Sequence, residues 1–164
     1  MTTFKHILLA TDFGEAADRA LDFAIELASR FDSKLTLLHA SWAPPPVYAG
    51  YAEGMHWPVD DMAKAATEEL ETLLSKTRLR YPKTEAMTVS AEPWETILAV
   101  AKSRDADLIV MGTHGRRGLS RVFLGSVAEK VVRLSPIPVL TISGKADQEA
   151  KEQGLARTDG KRHA

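Results

Sequence analysis

The chain has 164 residues, a length usual for one domain, and such a domain buries about 70% of its unfolded surface without any covalent staple. It is 45% hydrophobic and 26% charged, with 21 Lys+Arg against 22 Asp+Glu for a net charge of -1, and it has no cysteine. This excludes a wholly disordered or fibrous chain, offers no field pointing to a nucleic-acid or membrane partner, and rules out disulfides, thiolate metal sites and a cysteine nucleophile. The first apolar run, Ile7 to Ala10, is too short for a signal segment or a membrane span, so a cytoplasmic protein is expected.

His6 to Ala10 reads as a strand buried on both faces. Thr11-Asp12 follows, with polar side chains suited to capping the next element. From Gly14 the apolar spacing becomes Ala17, Ala20/Leu21, Ala24, Leu27/Ala28 and Phe31, with Glu15, Asp18, Asp22, Glu26 and Arg30 opposite. That is an amphipathic helix. Asp32-Ser33 ends it and Lys34 to Ala40 forms a second strand, completing a β-α-β crossover unit. Residues 41–59 hold three consecutive prolines and no period; a loop of this length serves as a lid or binding loop, or is disordered.

Asp60-Asp61 opens a helix to about Arg80, with Met62, Ala65/Ala66, Glu69/Leu70, Leu73/Leu74 and Thr77 as its stripe. Thr84 to Ser90 is a weaker strand, nearer an edge. Pro93 suits a helix start, and Trp94, Ile97, Leu98 and Ala101 give that helix its apolar face. Asp107 to Met111 is the second strongly buried strand. Ser126 to Leu134 is a helix with Val127, Val131 and Leu134 in register, stopped by Pro136. Ile137 to Ile142 is the final strand, and Pro138, which cannot donate to a ladder, argues for an edge. Residues 144–164 are polar and read as a solvated tail, leaving residues 1–143 as the domain.

Alternating strands and helices predict an α/β fold in three layers, a parallel sheet with helices on both faces. Ligands of such sheets sit at the carboxyl ends of the strands, where strand order reverses. The strand ends to search are therefore Ala10-Thr11-Asp12, His39-Ala40 and Met111-Gly112. Four of the ten glycines, Gly112, Gly115, Gly118 and Gly125, fall in one window of fourteen residues after the buried strand. Glycines there let the backbone turn tightly and approach a ligand. Gly125-Ser126 opens the next helix, whose first amides and dipole favour an anion, and Arg116, Arg117 and Arg121 add positive charge. The combination suits a polyphosphate, or else is a glycine-rich turn beside a solvated arginine loop. It is neither a Walker A loop nor a Rossmann fingerprint.

The pattern G-x-x-G, nine residues, G-S, carried by Gly112, Gly115, Gly125 and Ser126, resembles the ATP-binding signature of the universal stress protein family. The likeness runs from about Lys5 to Ile142 and includes the strand ending in Asp12, the run from Asp105 to Gly115, and Gly125 to Arg133. It implies five parallel strands in the order 3-2-1-4-5. By position, Asp12 is expected to hydrogen-bond the ribose or base, with Ala10 and Thr11 beside it. Ala40 is expected to offer backbone to the adenine, Met111 and Gly112 to wall the ribose side, and Gly115, Gly125, Ser126 and Val127 to hold the phosphates. The implied ligand is ATP, or AMP or another adenine nucleotide, with Mg²⁺ or Mn²⁺ able to accompany the phosphates. The resemblance also implies a homodimer through the last strand, Ile137 to Ile142.

The individual side chains have plainer roles to weigh as well. Asp12 suits an N-cap, His39 a packed or capping histidine, and His114 a turn residue or a phosphate contact. Trp42, Tyr48, Tyr51 and Trp57 suit an adenine lid, a surface loop or a dimer contact. A nucleotide-dependent switch in the stress response, with little hydrolysis, is the expected function, because a switch needs differential binding and not turnover. The alternative is an ATP-hydrolysing or phosphotransfer enzyme at the same strand ends. It is disfavoured because Asp12 alone supplies a credible acidic ligand there.

Overall fold

In the computed structural model, which describes residues 3–41, 59–113 and 125–144, nine elements alternate. They are β1 (His6–Ala10), α1 (Glu15–Phe31), β2 (Lys34–Ser41), α2 (Val59–Arg80), β3 (Thr84–Ser90), α3 (Pro93–Ser103), β4 (Leu108–Gly112), α4 (Ser126–Leu134) and β5 (Val139–Ile142). All pairings are parallel, and the sheet order is β3-β2-β1-β4-β5. The expected order is the observed one. The loop aromatics Trp42, Tyr48, Tyr51 and Trp57, the segment holding His114, Gly115, Gly118 and the three arginines, and the tail beyond Gly144 lie outside the described residues.

β1 is fully buried because it lies in the middle of the sheet, covered on both faces. Its side chains alternate with the pleat. Ile7 and Leu9, with Leu35, Leu37, Leu108 and Val110, pack against Ala20, Leu21, Ala24, Ile25 and Ala28 of α1 and Leu70 of α2. Leu8 and Ala10, with Leu38, Ile109 and Met111, pack against Ile97, Val100 and Ala101 of α3 and Ala128 and Val131 of α4. The alanine stripe of α1 lets that helix sit close to the sheet. No helix among the described residues is long and apolar enough to cross a membrane.

Four expectations need correction. The apolar stripe of α2 is real only in its second half: Leu70 and Thr77 are buried, whereas Met62 is 64% exposed. The buried pair of α4 is Ala128 and Val131, and Leu134 is 48% exposed at the helix end. Asp107 lies just outside β4; its carboxylate instead accepts the Lys5 and His6 amides at 2.7 and 2.9 Å. The last strand begins at Val139, since Pro138 has no N–H and joins the ladder only through its carbonyl, which accepts the Ile109 amide at 3.0 Å.

At the amino-terminal edge of the sheet, Glu85 of β3 ties three elements together. Lys34 of β2 approaches at 3.0 Å, the Thr36 hydroxyl donates at 3.0 Å, and Arg104 after α3 completes the group. Burial pushes the Glu85 carboxyl upward. The hydrogen bonds from Lys34 and Thr36 and the charges of Lys34 and Arg104 outweigh it, and its pKa is lowered overall.

Candidate functional site

β1 and β4 are neighbours, with Ala10 opposite Met111, and the chain leaves them in opposite directions. From β1 it enters α1 on one face; from β4 it continues to α4 on the other. Strand order reverses between them, and a cleft opens there. Its lining comes from Ala10, Thr11 and Asp12 after β1, Leu38 and Ala40 of β2, and Met111, Gly112 and Thr113 at the end of β4. Pro93 and Ile97 of α3 and Gly125, Ser126, Val127 and Ala128 at the start of α4 complete it.

Of the ten residues expected to form a site, Ala10, Thr11, Asp12, Ala40, Met111, Gly112, Gly125, Ser126 and Val127 line this one cleft. Gly115 lies outside the described residues. Leu38, Pro93, Ile97, Thr113 and Ala128 were not anticipated. Leu38 had a readable signal, standing two residues before Ala40 and so on the same face of the strand. Ile97 belonged to the apolar stripe of its helix, but nothing local says that one end of that stripe reaches a cleft.

Asp12 is held in a tight turn. The Thr11 amide still donates to Leu38 O at 2.9 Å, as a continuation of the ladder. The Phe13 amide then donates to Thr11 Oγ1 at 3.0 Å and the Gly14 amide to Asp12 Oδ1 at 3.1 Å. These are side-chain-closed turns of the kind Thr and Asp favour. Gly14 is the N-cap of α1 and supplies no side-chain bond. Asp12 therefore secures the residue that begins the helix. A side chain on Gly14 would place its Cβ 3.1 Å from Asp12 Oδ1, so glycine there leaves the carboxylate room. Close behind, the Asp18 carboxyl is raised above its ordinary pKa, by its own burial first and then by Asp22, Asp12 and Glu69.

Across the cleft, the N-cap of α4 is Gly125, which brings no side chain to the first turn. The Gly125 amide turns inward and donates to Thr113 O at 2.7 Å, while Gly125 O accepts from Glu129. The first-turn amides that follow belong to Ser126, Val127 and Ala128, all in the cleft wall. They carry the positive end of the helix dipole, and the exposed Ser126 adds a hydroxyl. Gly112 has a separate reason to be glycine: a Cβ there would lie 2.8 Å from Ala16 Cβ and 2.9 Å from the Ala16 carbonyl carbon. It lets β4 meet the first turn of α1. The cleft thus has apolar walls (Leu38, Ile97, Met111), a carboxylate on one side and an anion-favouring helix end on the other.

Residues 3–143 match the universal stress protein family. The chain belongs to that family. A universal stress protein of Thermus aquaticus is 34% identical over 142 residues, covering 85% of this chain and 98% of its own. The solved universal stress protein from Lactobacillus plantarum is 26% identical, covers 87% of this chain and 99% of its own, and superposes with a TM-score of 0.73. A universal stress protein from Archaeoglobus fulgidus, solved in complex with dAMP, is also 26% identical, with coverage of 87% and 99% and a TM-score of 0.61. The universal stress protein fold therefore spans the sheet and every described element around the cleft.

Proposed function

We propose that this universal stress protein binds an adenine nucleotide, ATP in the first instance, in the cleft between β1 and β4. One observation carries the reading: the Asp12 turn and the amino-terminal start of α4 face each other across apolar walls. A flat base fits against Leu38, Ile97 and Met111, with the backbone of Ala40 at its edge. Asp12 is an acceptor for a ribose hydroxyl or base N–H. Phosphates sit at the amides of Ser126, Val127 and Ala128 and the Ser126 hydroxyl, where a helix start favours negative charge. Gly115 and the arginines of its loop belong to the same phosphate seat by sequence. The dAMP complex of the Archaeoglobus relative supports the ligand class.

The nucleotide acts as the signal of a cytoplasmic stress-response switch, with ATP-bound and free forms differing in affinity for a protein partner and with slow hydrolysis at most. The working unit is residues 1–143, and it pairs with a second copy through the edge strand β5. Thermal melting with ATP, AMP, cyclic AMP and GTP tests the binding class. A ligand at 100 times its Kd stabilises by about 2.7 kcal/mol, so an adenine nucleotide raises the Tm by several degrees. No shift with any of the four overturns the reading. Recovery of ATP unchanged after an hour in large excess over the protein supports a switch; many equivalents of ADP per protein would make it an enzyme.

A further inference from the structure

We infer that His39 is a positioning residue for the Asp12 turn, setting nucleotide affinity from the opposite face of the sheet without touching the ligand. The inference rests on the proposed binding role of the cleft. On β2, Leu38 and Ala40 face the cleft, so the pleat sends His39, between them, to the other side. There its ring stacks on Phe13, with centroids 4.5 Å apart and planes 30° from parallel. Its Nδ1 lies 2.9 Å from the carbonyl oxygen of Thr11. A carbonyl oxygen only accepts, so Nδ1 carries the proton and donates. His39 therefore holds both neighbours of Asp12, Thr11 by its backbone and Phe13 by its ring.

The turn needs such a hold. Phe13 has φ 60°, a left-handed conformation that a bulky side chain seldom adopts. Backbone of this kind persists only when surrounding contacts over-determine it, and it gathers at ligand-binding turns. Here the over-determining contacts are the ring stack and the Thr11 bond from His39, together with the Phe13 and Gly14 amide bonds to Thr11 Oγ1 and Asp12 Oδ1. Removal of the imidazole frees Phe13 to relax toward ordinary φ, and the Asp12 carboxylate turns with it. Asparagine at position 39 keeps an amide N–H where Nδ1 stands and loses the ring.

Calorimetric ATP titration of wild type, His39→Ala, His39→Asn, Asp12→Ala and the Asp12→Ala/His39→Ala pair tests this, alongside hydrogen exchange of each ligand-free protein. Loss of the hold weakens ATP binding about tenfold in His39→Ala, the scale of one hydrogen bond, and His39→Asn recovers part of it. In the Asp12→Ala background His39→Ala changes the Kd no further, because its effect runs through Asp12. In the ligand-free His39→Ala protein the Gly14 amide exchanges faster while core amides such as Val110 keep their rates. Unchanged Gly14 exchange overturns the inference, and so does a His39→Ala effect that persists in full without Asp12. If wild type binds no ATP, the binding role fails by itself, and Gly14 exchange still decides whether His39 holds the turn.

Discussion

Gly112 and Asp12 sit on facing strand ends, and the physics of each yields a separate expectation. The Cβ of an alanine at 112 meets Ala16 Cβ and two backbone atoms of α1 at 2.8–3.0 Å. Backbone cannot swing aside as a long side chain can, so β4 and α1 must part. Gly112→Ala is expected to cost about 1–3 kcal/mol, the usual range for overpacking, measured by urea unfolding; an unchanged midpoint contradicts the packing account. Asp12→Asn keeps an acceptor oxygen for the Gly14 amide but removes the charge. It is expected to leave stability within about 0.5 kcal/mol, as a surface-type change does, while weakening ATP binding several-fold by titration. Equal ATP affinity in Asp12→Asn and wild type would remove the carboxylate from the proposed site. The sequence pattern placed both residues at strand ends, but it assigned Gly112 to the ligand and could not show Ala16, far away in the chain, pressing on it.

At the scale of the element, α4 matters most. Its bounds, Ser126–Leu134, are those read from periodicity, because Gly125 before it and Pro136 after it punctuate sharply. Its buried face was less legible: Ala128 packs while Leu134 is exposed. Spacing gives a stripe, but only the neighbouring helix decides where the stripe is covered. The glycine N-cap of α4 makes stability and binding respond with opposite sign. An aspartate at 126 places negative charge at the positive end of the dipole, worth about 0.3–1 kcal/mol to the helix, yet it repels an incoming phosphate. Ser126→Asp is expected to hold or slightly raise the Tm while ATP affinity falls at least about tenfold, the 1.4 kcal/mol scale of one lost or repelled contact. A fall in both, or in neither, contradicts the assignment of phosphates to this helix end. Ile97 was missed because a cleft wall is a meeting of distant elements, and no single segment records it.

For the whole molecule, the parallel sheet was readable from the alternation of elements and its strand order only from the family likeness, and that order fixes which strands are edges. The carbonyls of Pro138 and Ile142 point to β4, where they accept from Ile109 and Thr113. Alternation then turns the backbone groups of Val139 and Thr141 outward. Thr141→Pro removes an outward N–H without touching the β4 ladder, a position where edge strands tolerate proline. If β5 joins two copies, wild type runs as a dimer by light scattering and Thr141→Pro as a folded monomer. A dimer in both excludes pairing through that edge.

The opposite end of the sheet predicts a pH dependence. The Glu85 pKa is lowered in the folded protein, so its contribution is present above the unfolded value near 4.3 and is lost as pH falls through the folded one. Glu85 is about one-third exposed, and the expected loss in Glu85→Gln at pH 7 is about 0.5–1 kcal/mol after solvent screening. The difference from wild type should close as the pH drops below about 4. A gap that persists unchanged at pH 3 would assign the loss to packing.

Occupation of the cleft between β1 and β4 by an adenine nucleotide is tested most directly by a ¹H–¹⁵N titration of the protein with ATP. Saturable shifts are expected at Thr11 to Gly14, Ala40, Gly112 and Thr113, and above all at the amides of Ser126 to Ala128. Shifts gathered elsewhere, or none at millimolar ATP, would contradict it.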